Sequence, residues 1–487
     1  MVDGGARAVT HVVVIGMGYV GIPCAALFAD VPGFCVTGIQ RRSNRSGWKI
    51  DHLNAGRCPF AGHEPGLANL IARVVERGTF RVTDDFAACA DADAILIDVQ
   101  TPVEADHTPR YDSLREVCQQ VGTYLRPGTL VILESTVAPG TTQHIVQPIL
   151  ERESGLKARS DSESRITSHE SRFYLAFSYE RVTPGKLLEY ITDFPRVVGG
   201  IDGQSTERAV ALYRHIVRAE ITPTDCLTAE VSKVVENAYR DVNIAFANEV
   251  ALACEAVGVD AYQVQALINA RPDRDMHLPG AGVGGHCLPK DSWLLVHGVH
   301  TLGEGAVEQE SVGVWECGGG LGLVRLARAV NDGMPTHVAE LVCQALAESG
   351  RERAGARVTV LGVSYLEEAD DTRNTPAVPL IEALLADGAQ VVAHDPYVRA
   401  EDVEWCAAQA RWRETYGQEV PLTRDLEAAL RGADAAVLVT RHRAYLELDW
   451  AQVRDWMRGR ALVDGRNAWD AAACRAAGFV YRGVGKR

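Results

Sequence analysis

Short runs of β-branched and aliphatic residues recur along the chain, each closed by glycine, proline or a hydroxyl side chain. Between several of them the apolar positions recur at helical spacing. In the first third the runs are His11–Ile15, Phe34–Ile39, Ala94–Val99, Leu130–Leu133 and Tyr174–Phe177. They read as successive parallel strands whose C-terminal ends lead into loops. Ile22 to Asp30 reads as the first helix. From Ala229 to Val257, the residues Val231, Val234, Val235, Ala238, Val242, Ala245 and Leu252 recur at helical spacing without a proline. That segment predicts a helix roughly 40 Å long at 1.5 Å per residue. Helical spacing returns at Leu323–Val330 and continues at Val338–Leu346. A second series of strands then follows, Arg357–Val363, Gln390–Pro396, Asp434–Val439 and Ala461–Val463, with a helix over Pro376–Ala386 that has proline near its start. Glu151–Arg172 is charged and aperiodic and predicts a solvated insertion; Gly298–Gly322 is Gly-rich and predicts an irregular excursion.

The first strand runs into Gly16-Met17-Gly18-Tyr19-Val20-Gly21 and then into the first helix. Strand, Gly-x-Gly-x-x-Gly and helix in that order form a dinucleotide site. The glycines make the turn, admit a pyrophosphate and let the helix pack on the strand, and the helix N-terminus favours the anion. The alternation of strands and helices gives the α/β class, with two Rossmann-like parallel-sheet domains joined by a long central helix and a helical middle region. The expected boundaries are 1–225, 226–335 and 336–487. The second strand ends in Gln40-Arg41-Arg42-Ser43, where an acid normally holds the ribose 2′-hydroxyl. Either Gln40 hydrogen-bonds the ribose of NAD, or Arg41 and Arg42 receive the 2′-phosphate of NADP; NAD is favoured. Thr101, after the run Ala94–Val99, and Thr136, after Glu134-Ser135, stand at strand C-termini, where ligands bind in such sheets and where turn and capping residues also occur.

Composition narrows the partners. A length of 487 residues exceeds one core, so two or three domains are expected. Hydrophobic residues at 47% and charged residues at 23% are ordinary for a soluble globular protein. A formal net charge of −15 argues against a nucleic-acid or anionic-membrane partner. No apolar stretch is long enough for a signal-peptide core or a bilayer span. The 12 cysteines contain no Cys-x-x-Cys pair, so neither a disulfide framework nor a metal is expected, and a cytoplasmic location is the simplest reading.

One cysteine stands apart. Gly284-Gly285-His286-Cys287-Leu288-Pro289-Lys290-Asp291 places a thiol after a flexible pair and before a lysine and an aspartate. The thiolate is the nucleophilic form, and a nearby ammonium favours it; the competing reading is a small buried hydrophobe. On the long helix Lys233 and Asn237 are four apart and share a face, pointing either to solvent or into a cleft against a developing oxyanion.

Together these motifs resemble the nucleotide-sugar 6-dehydrogenases, the family of UDP-glucose, UDP-N-acetylhexosamine and GDP-mannose dehydrogenases. The matching pieces are Gly16–Gly21, Thr101-Pro102, Glu134-Ser-Thr136 with Pro139-Gly-Thr-Thr142, Ser178-Tyr-Glu180-Arg181-Val182, Glu230-x-x-Lys233-x-x-x-Asn237, Gly284–Asp291 and Asp371-Thr-Arg373. The resemblance implies a four-electron oxidation of a sugar C6 hydroxyl to the uronic acid through a thiohemiacetal and thioester on Cys287, serving surface polysaccharide or glycan synthesis. It also implies that Lys233 and Asn237 hold the oxyanion, that Asp291 and Thr136 place water or relay protons, and that Glu180 acts as base or positions water. Lys290 and Arg373, with Tyr19, Val20, Gln40, Arg41, Thr101 and Thr136, would contact NAD. Arg181 and Gly284 would join Glu180, Lys233 and Asn237 around a UDP-sugar, and a homodimer is expected. The Ser178–Val182 form is similar to the N-acetylhexosamine branch, so UDP-N-acetylglucosamine or UDP-N-acetylmannosamine is expected ahead of UDP-glucose or GDP-mannose. One departure is Tyr365-Leu366, where relatives commonly carry lysine after the aromatic; His277 or Arg271 are candidates to replace that charge.

Overall fold

The computed structural model describes residues 9–43, 46–60, 62, 64–159, 171–303 and 321–486. Two compact units emerge, Met1–Glu236 with Trp293–Val312, and Asn237–Ser292 with Gly313–Arg487.

The first unit is built on strands β1 (Thr10–Ile15), β2 (Phe34–Ile39), β3 (Phe80–Thr83), β4 (Ala94–Ile97), β5 (Leu130–Leu133), β6 (Lys157–Ala158), β7 (Arg172–Phe177), β8 (Arg196–Gly200) and β9 (Ile221–Asp225). Their order is β3-β2-β1-β4-β5-β7-β8-β9, with β6 beside β7. Val13 on β1 stands between Thr37 on β2 and Ile95 on β4 in parallel register. The unbroken apolar runs are explained by alternation between two cores. Val12 and Val14 join one cluster with the helix Gly21–Asp30, and Val13 and Ile15 join another on the opposite face. The sheet is not wholly parallel: β8 runs antiparallel to β7, carrying β9 with it. This brings the side chain of Arg196, at the start of β8, to the edge where β7 ends.

The second unit holds β10 (Arg357–Leu361), β11 (Gln390–His394), β12 (Leu422–Thr423), β13 (Ala435–Leu438), β14 (Ala461–Asp464) and β15 (Val480–Gly483), all parallel, in the order β12-β11-β10-β13-β14-β15. Val358 and Val360 face one core, and Leu361, Ala436 and Leu438 the other. Within this unit, buried Asp241 on the long helix accepts from Arg328 (2.6 Å) and Asn331 (2.8 Å) of the helix Gly322–Glu348. That helix continues without a break through the Asn331-Asp-Gly stretch and contains Pro335.

The expected long helix spans Cys226–Val257, 32 residues, and is capped by Asp225, whose carboxylate accepts from the Thr228 backbone N–H (2.8 Å). Two expectations are corrected. Glu151–Ser154 is not loop but the end of a helix, Gln147–Ser154, with Ile149 and Leu150 inside and the charges on its outer face. Gly298 lies within the helix Leu288–Gly303; a Cβ there would approach Pro139 to 2.3 Å, so this glycine serves close packing and not irregularity. Lys157–Ala158 (β6) and Arg172 (the start of β7) in the first stretch are also strand, and Gly322 begins a helix; residues 160–170 and 304–320 lie outside the described residues. No helix among the described residues is long and apolar enough to cross a membrane.

Candidate active site

In the second unit the stretch before Cys287 is pressed against the turn that follows β10. A Cβ on Gly284 would stand 2.6 Å from the Tyr365 Cβ, and one on Gly285 would stand 2.8 Å from the Tyr365 ring. Gly285 donates to the Arg373 carbonyl and accepts from the Asn374 side chain, both at 3.0 Å. From this anchor the chain enters the helix Leu288–Gly303, and Cys287 caps it, its carbonyl accepting from the N–H groups of Lys290 (3.1 Å) and Asp291 (2.8 Å). The Cys287 side chain is exposed, which removes the buried-hydrophobe reading. Its place at a helix N-terminus favours negative charge on the sulfur.

Asp291 is buried and fixed from two sides: Asn237 donates to one oxygen at 2.6 Å, and the Lys290 ammonium lies 3.0 Å from the other. His286 is held neutral, because burial and then the charges of Lys290 and Arg373 push its pKa down to about 4. The Arg373 guanidinium pairs with Asp371, Nε lying 2.9 and 3.1 Å from the two oxygens. Cys287, Asp291, Asn237, Lys290 and Arg373 therefore belong to one unit, and Gly284 supplies the tight packing beneath them. Arg271, a candidate to replace the missing lysine, lies on the surface with its guanidinium 2.6 Å from Asp273. A residue that the pattern reading missed is Arg466, which donates to Val439 (2.7 Å) and to the Gly282 carbonyl (3.1 Å) and so supports the same stretch. An arginine beside Gly465 at a strand end was its only signal.

The first unit carries the dinucleotide turn. A Cβ on Gly16 would meet the Asp98 carbonyl at 2.2 Å and one on Gly21 the Gly16 carbonyl at 2.0 Å, whereas among the described residues nothing lies within 4 Å of a Cβ on Gly18. Among the described residues no side chain caps the N-terminus of the helix after Val20. An open cradle beside uncapped helical N–H groups fits a diphosphate. Tyr19 stacks on Phe60 with ring centres 4.5 Å apart. Gln40 accepts from the Met17 N–H (3.2 Å) and donates to Ser46 (3.0 Å), which ties the second strand to the glycine turn. Arg41 and Arg42 lie on the surface facing Glu116 (3.8 Å) and Asp84 (3.1 Å), so each is offset by an acid. Thr101 donates to the Thr136 carbonyl at 2.6 Å, which brings these two strand-end residues together.

Glu180 follows β7 and is paired with Arg196. Burial pushes its carboxyl up, with Arg196 pulling the other way, to about 7. Lys233 is buried, with its ammonium 3.1 Å from the Glu180 carbonyl and 5.1 Å from the Tyr179 ring centre. Arg181 is committed to Glu236 (2.9 Å) and to the Tyr179 hydroxyl (2.9 Å). Glu230, one turn before Lys233, accepts from Gly140 (2.6 Å) and Thr142 (2.8 Å), locking the long helix to the Pro139–Thr142 turn. Cys24, Glu134 and Glu180 offer ligand atoms within 4.8 Å of one another. The Arg196 guanidinium bonds to both glutamates and already supplies the positive charge that a metal would bring.

Three segments match the UDP-glucose/GDP-mannose dehydrogenase family: its NAD binding domain over residues 10–217, its central domain over 227–312 and its UDP binding domain over 359–471. The chain is 34% identical to UDP-N-acetyl-D-mannosamine dehydrogenase of Pyrococcus horikoshii over 477 residues, 98% of this chain and 99% of the relative. Among solved structures, NDP-N-acetyl-D-galactosaminuronic acid dehydrogenase of Methanosarcina mazei superposes with a TM-score of 0.82 at 39% identity, covering 99% of this chain and 96% of the other. A UDP-glucose dehydrogenase of Pyrobaculum islandicum superposes with a TM-score of 0.78 at 27% identity, covering 100% of both chains.

Proposed function

The chain belongs to the UDP-glucose/GDP-mannose dehydrogenase family, an NAD-dependent oxidoreductase family, and from that premise we propose that it oxidises the C6 hydroxyl of a UDP-N-acetylhexosamine to the uronic acid. The observation that carries this reading is Cys287, an exposed thiol at a helix N-terminus, followed one turn later by an aspartate fixed by Asn237 and Lys290. A single oxidation of an alcohol has no use for such a nucleophile.

In this reading residues 1–225 hold the cofactor, 226–335 carry the catalytic helix, and 336–487 hold the nucleotide. Gly16, Gly18, Tyr19, Val20 and Gly21, with Gln40, Arg41, Thr101, Thr136, Lys290 and Arg373, would bind NAD, which accepts a hydride in each of two oxidations when bound. Glu180 takes the proton of the C6 hydroxyl as it becomes the aldehyde. The Cys287 sulfur then bonds to C6 while the aldehyde oxygen gains a proton, giving a thiohemiacetal. Its oxidation leaves a thioester, and water displaces the sulfur to give carboxylate and thiol. Lys233 and Asn237 stabilise the oxyanion in these steps, and Asp291 orients the water. Gly284 and Arg181 line the sugar side. Tyr239 and Phe246, exposed at 68% and 56% on the long helix, support a homodimer, and the free cysteines among the described residues fit a cytoplasmic enzyme.

The name of the Pyrococcus horikoshii relative supports UDP-N-acetylmannosamine as the first substrate to try, followed by UDP-N-acetylglucosamine, UDP-glucose and GDP-mannose, each with NAD and NADP. Two NADH per sugar are expected; one NADH per sugar, or none with any of them, refutes the proposal. Cys287→Ser is expected to lower uronic acid formation by at least about 10³-fold, as measured by product chromatography.

A further inference from the structure

Beneath Glu180 lies a buried set of ionisable groups that this reaction scheme leaves unused. Glu134, at the end of β5, is 4% exposed. Its Oε1 accepts from the Arg196 guanidinium and from the Tyr213 hydroxyl, both at 2.5 Å, with the Cys24 Sγ at 4.0 Å. Its Oε2 and the Asp98 Oδ2 are buried and have no donor among the described residues, and the two side chains are neighbours: they follow the paired Ile97 and Leu133 on adjacent parallel strands, where the Glu134 N–H donates to the Ile97 carbonyl at 3.0 Å. Two carboxylate oxygens have only lone pairs to offer, so a bond between them needs a proton. Burial and then the charge of Glu134 raise the pKa of Asp98, which agrees with that proton residing there. The groups facing the cluster are Cys24 from the first helix, Tyr213, Arg196, Glu180 and, beside Glu180, Lys233. One guanidinium thus serves both Glu134 and Glu180.

We propose that Asp98 and Glu134 form a carboxyl pair that retains one proton at neutral pH, and that this pair, through the shared Arg196, positions Glu180 and sets how readily it is ionised. Asp98 donates its O–H to Glu134, leaving a single negative charge on the pair. That charge competes with Glu180 for the guanidinium, and weakening it leaves Arg196 more fully to Glu180. The first half of this proposal is independent of the reaction scheme. The second half rests on the reading of Glu180 as the base.

The two halves are tested separately. Infrared difference spectra of wild type against Asp98→Asn at pH 8 are expected to show the C=O stretch of a protonated carboxyl in wild type only; its absence from wild type overturns the pair, whether or not any sugar is oxidised. The acid limb of the kcat/KM profile is expected near Glu180's value of about 7. Glu134→Gln should move it down by about one pH unit, because removing a nearby anion favours the ionised carboxylate. Tyr213→Phe, which withdraws a donor from Glu134, should move it up. Asp98→Asn supplies an uncharged donor of similar shape and should shift the limb by less than a third of the Glu134→Gln shift. Equal shifts for Asp98→Asn and Glu134→Gln, or an immobile limb in both Glu134→Gln and Tyr213→Phe, overturn the link to Glu180. Should Glu134→Gln fail to fold, Tyr213→Phe decides the point alone.

Discussion

The turns after β1 and β10 begin alike and end differently. Each strand is followed by a glycine at positive φ, +108° at Gly16 and +86° at Gly362. At each, a Cβ would collide with the chain that crosses at the end of a neighbouring strand, Asp98 in one sheet and Thr440 in the other. Two residues later the turns part. Gly18 borders open space, whereas Ser364 is buried, its hydroxyl bonded to the Leu366 carbonyl at 2.9 Å. The residue after the second strand of each sheet shows the same divergence. Gln40 accepts a single N–H from its turn, from Met17. Asp395 accepts two, from Val363 (2.8 Å) and Ser364 (3.1 Å), while His442 lies 3.1 Å from the same oxygen. In the second sheet an internal carboxylate occupies the N–H groups of the turn that a phosphate would need. One topology therefore yields a cradle open to an anion and one closed by its own anion. The first glycine is required by the fold, and the second borders the space where the cofactor's phosphates are proposed to lie.

That contrast can be broken in three places. Gly362→Ala combines a left-handed backbone with contacts as close as 2.6 Å to Thr440, so a loss of about 3 kcal/mol is expected in urea unfolding, with Gly16→Ala behaving alike; tolerance of either removes the claim that these two glycines are structural. Asp395→Asn should destabilise by about 2 kcal/mol by weakening the bonds to buried N–H groups. The variant also tests the pH dependence. Burial works against the Asp395 carboxylate, yet His442 and the N–H groups of Tyr397 and Val398 hold its pKa below the usual value. Protonation therefore favours the unfolded chain. The contribution is present above the ordinary carboxylate value of about 3.9 and is lost as pH falls through the lower folded value. Stability of wild type and variant should converge under acid, and a constant gap down to low pH contradicts the assignment. The smallest effect is expected at Gly18→Ala: unfolding within about 0.5 kcal/mol of wild type, but KM for NAD raised about tenfold, or roughly 1.4 kcal/mol. An unchanged KM places the phosphates elsewhere.

Much of this is legible in the amino-acid sequence alone. The β-branched runs marked the central strands to within two residues, because strands covered on both faces leave almost no polar positions. The long helix was visible because no proline or glycine interrupts its spacing before Val257. Helix ends were harder. The charges of Glu151–Ser154 and the glycine at 298 looked like loop, yet one is the outer face of a helix and the other a packing contact.

The order of motifs determined the fold class and the grouping of Cys287, Lys290 and Asp291, since residues one helical turn apart need only a local backbone to meet. The sequence also supplied Glu180 and Lys233 as candidates, because their motifs are short and contiguous. Only the tertiary structure decided that Arg196 serves two glutamates, that Asp98 faces Glu134, and that Asp395 closes the second turn. Those contacts join residues 16 to 62 positions apart in the chain. Strand order and the antiparallel entry of β8 bring them together, and no local periodicity encodes either.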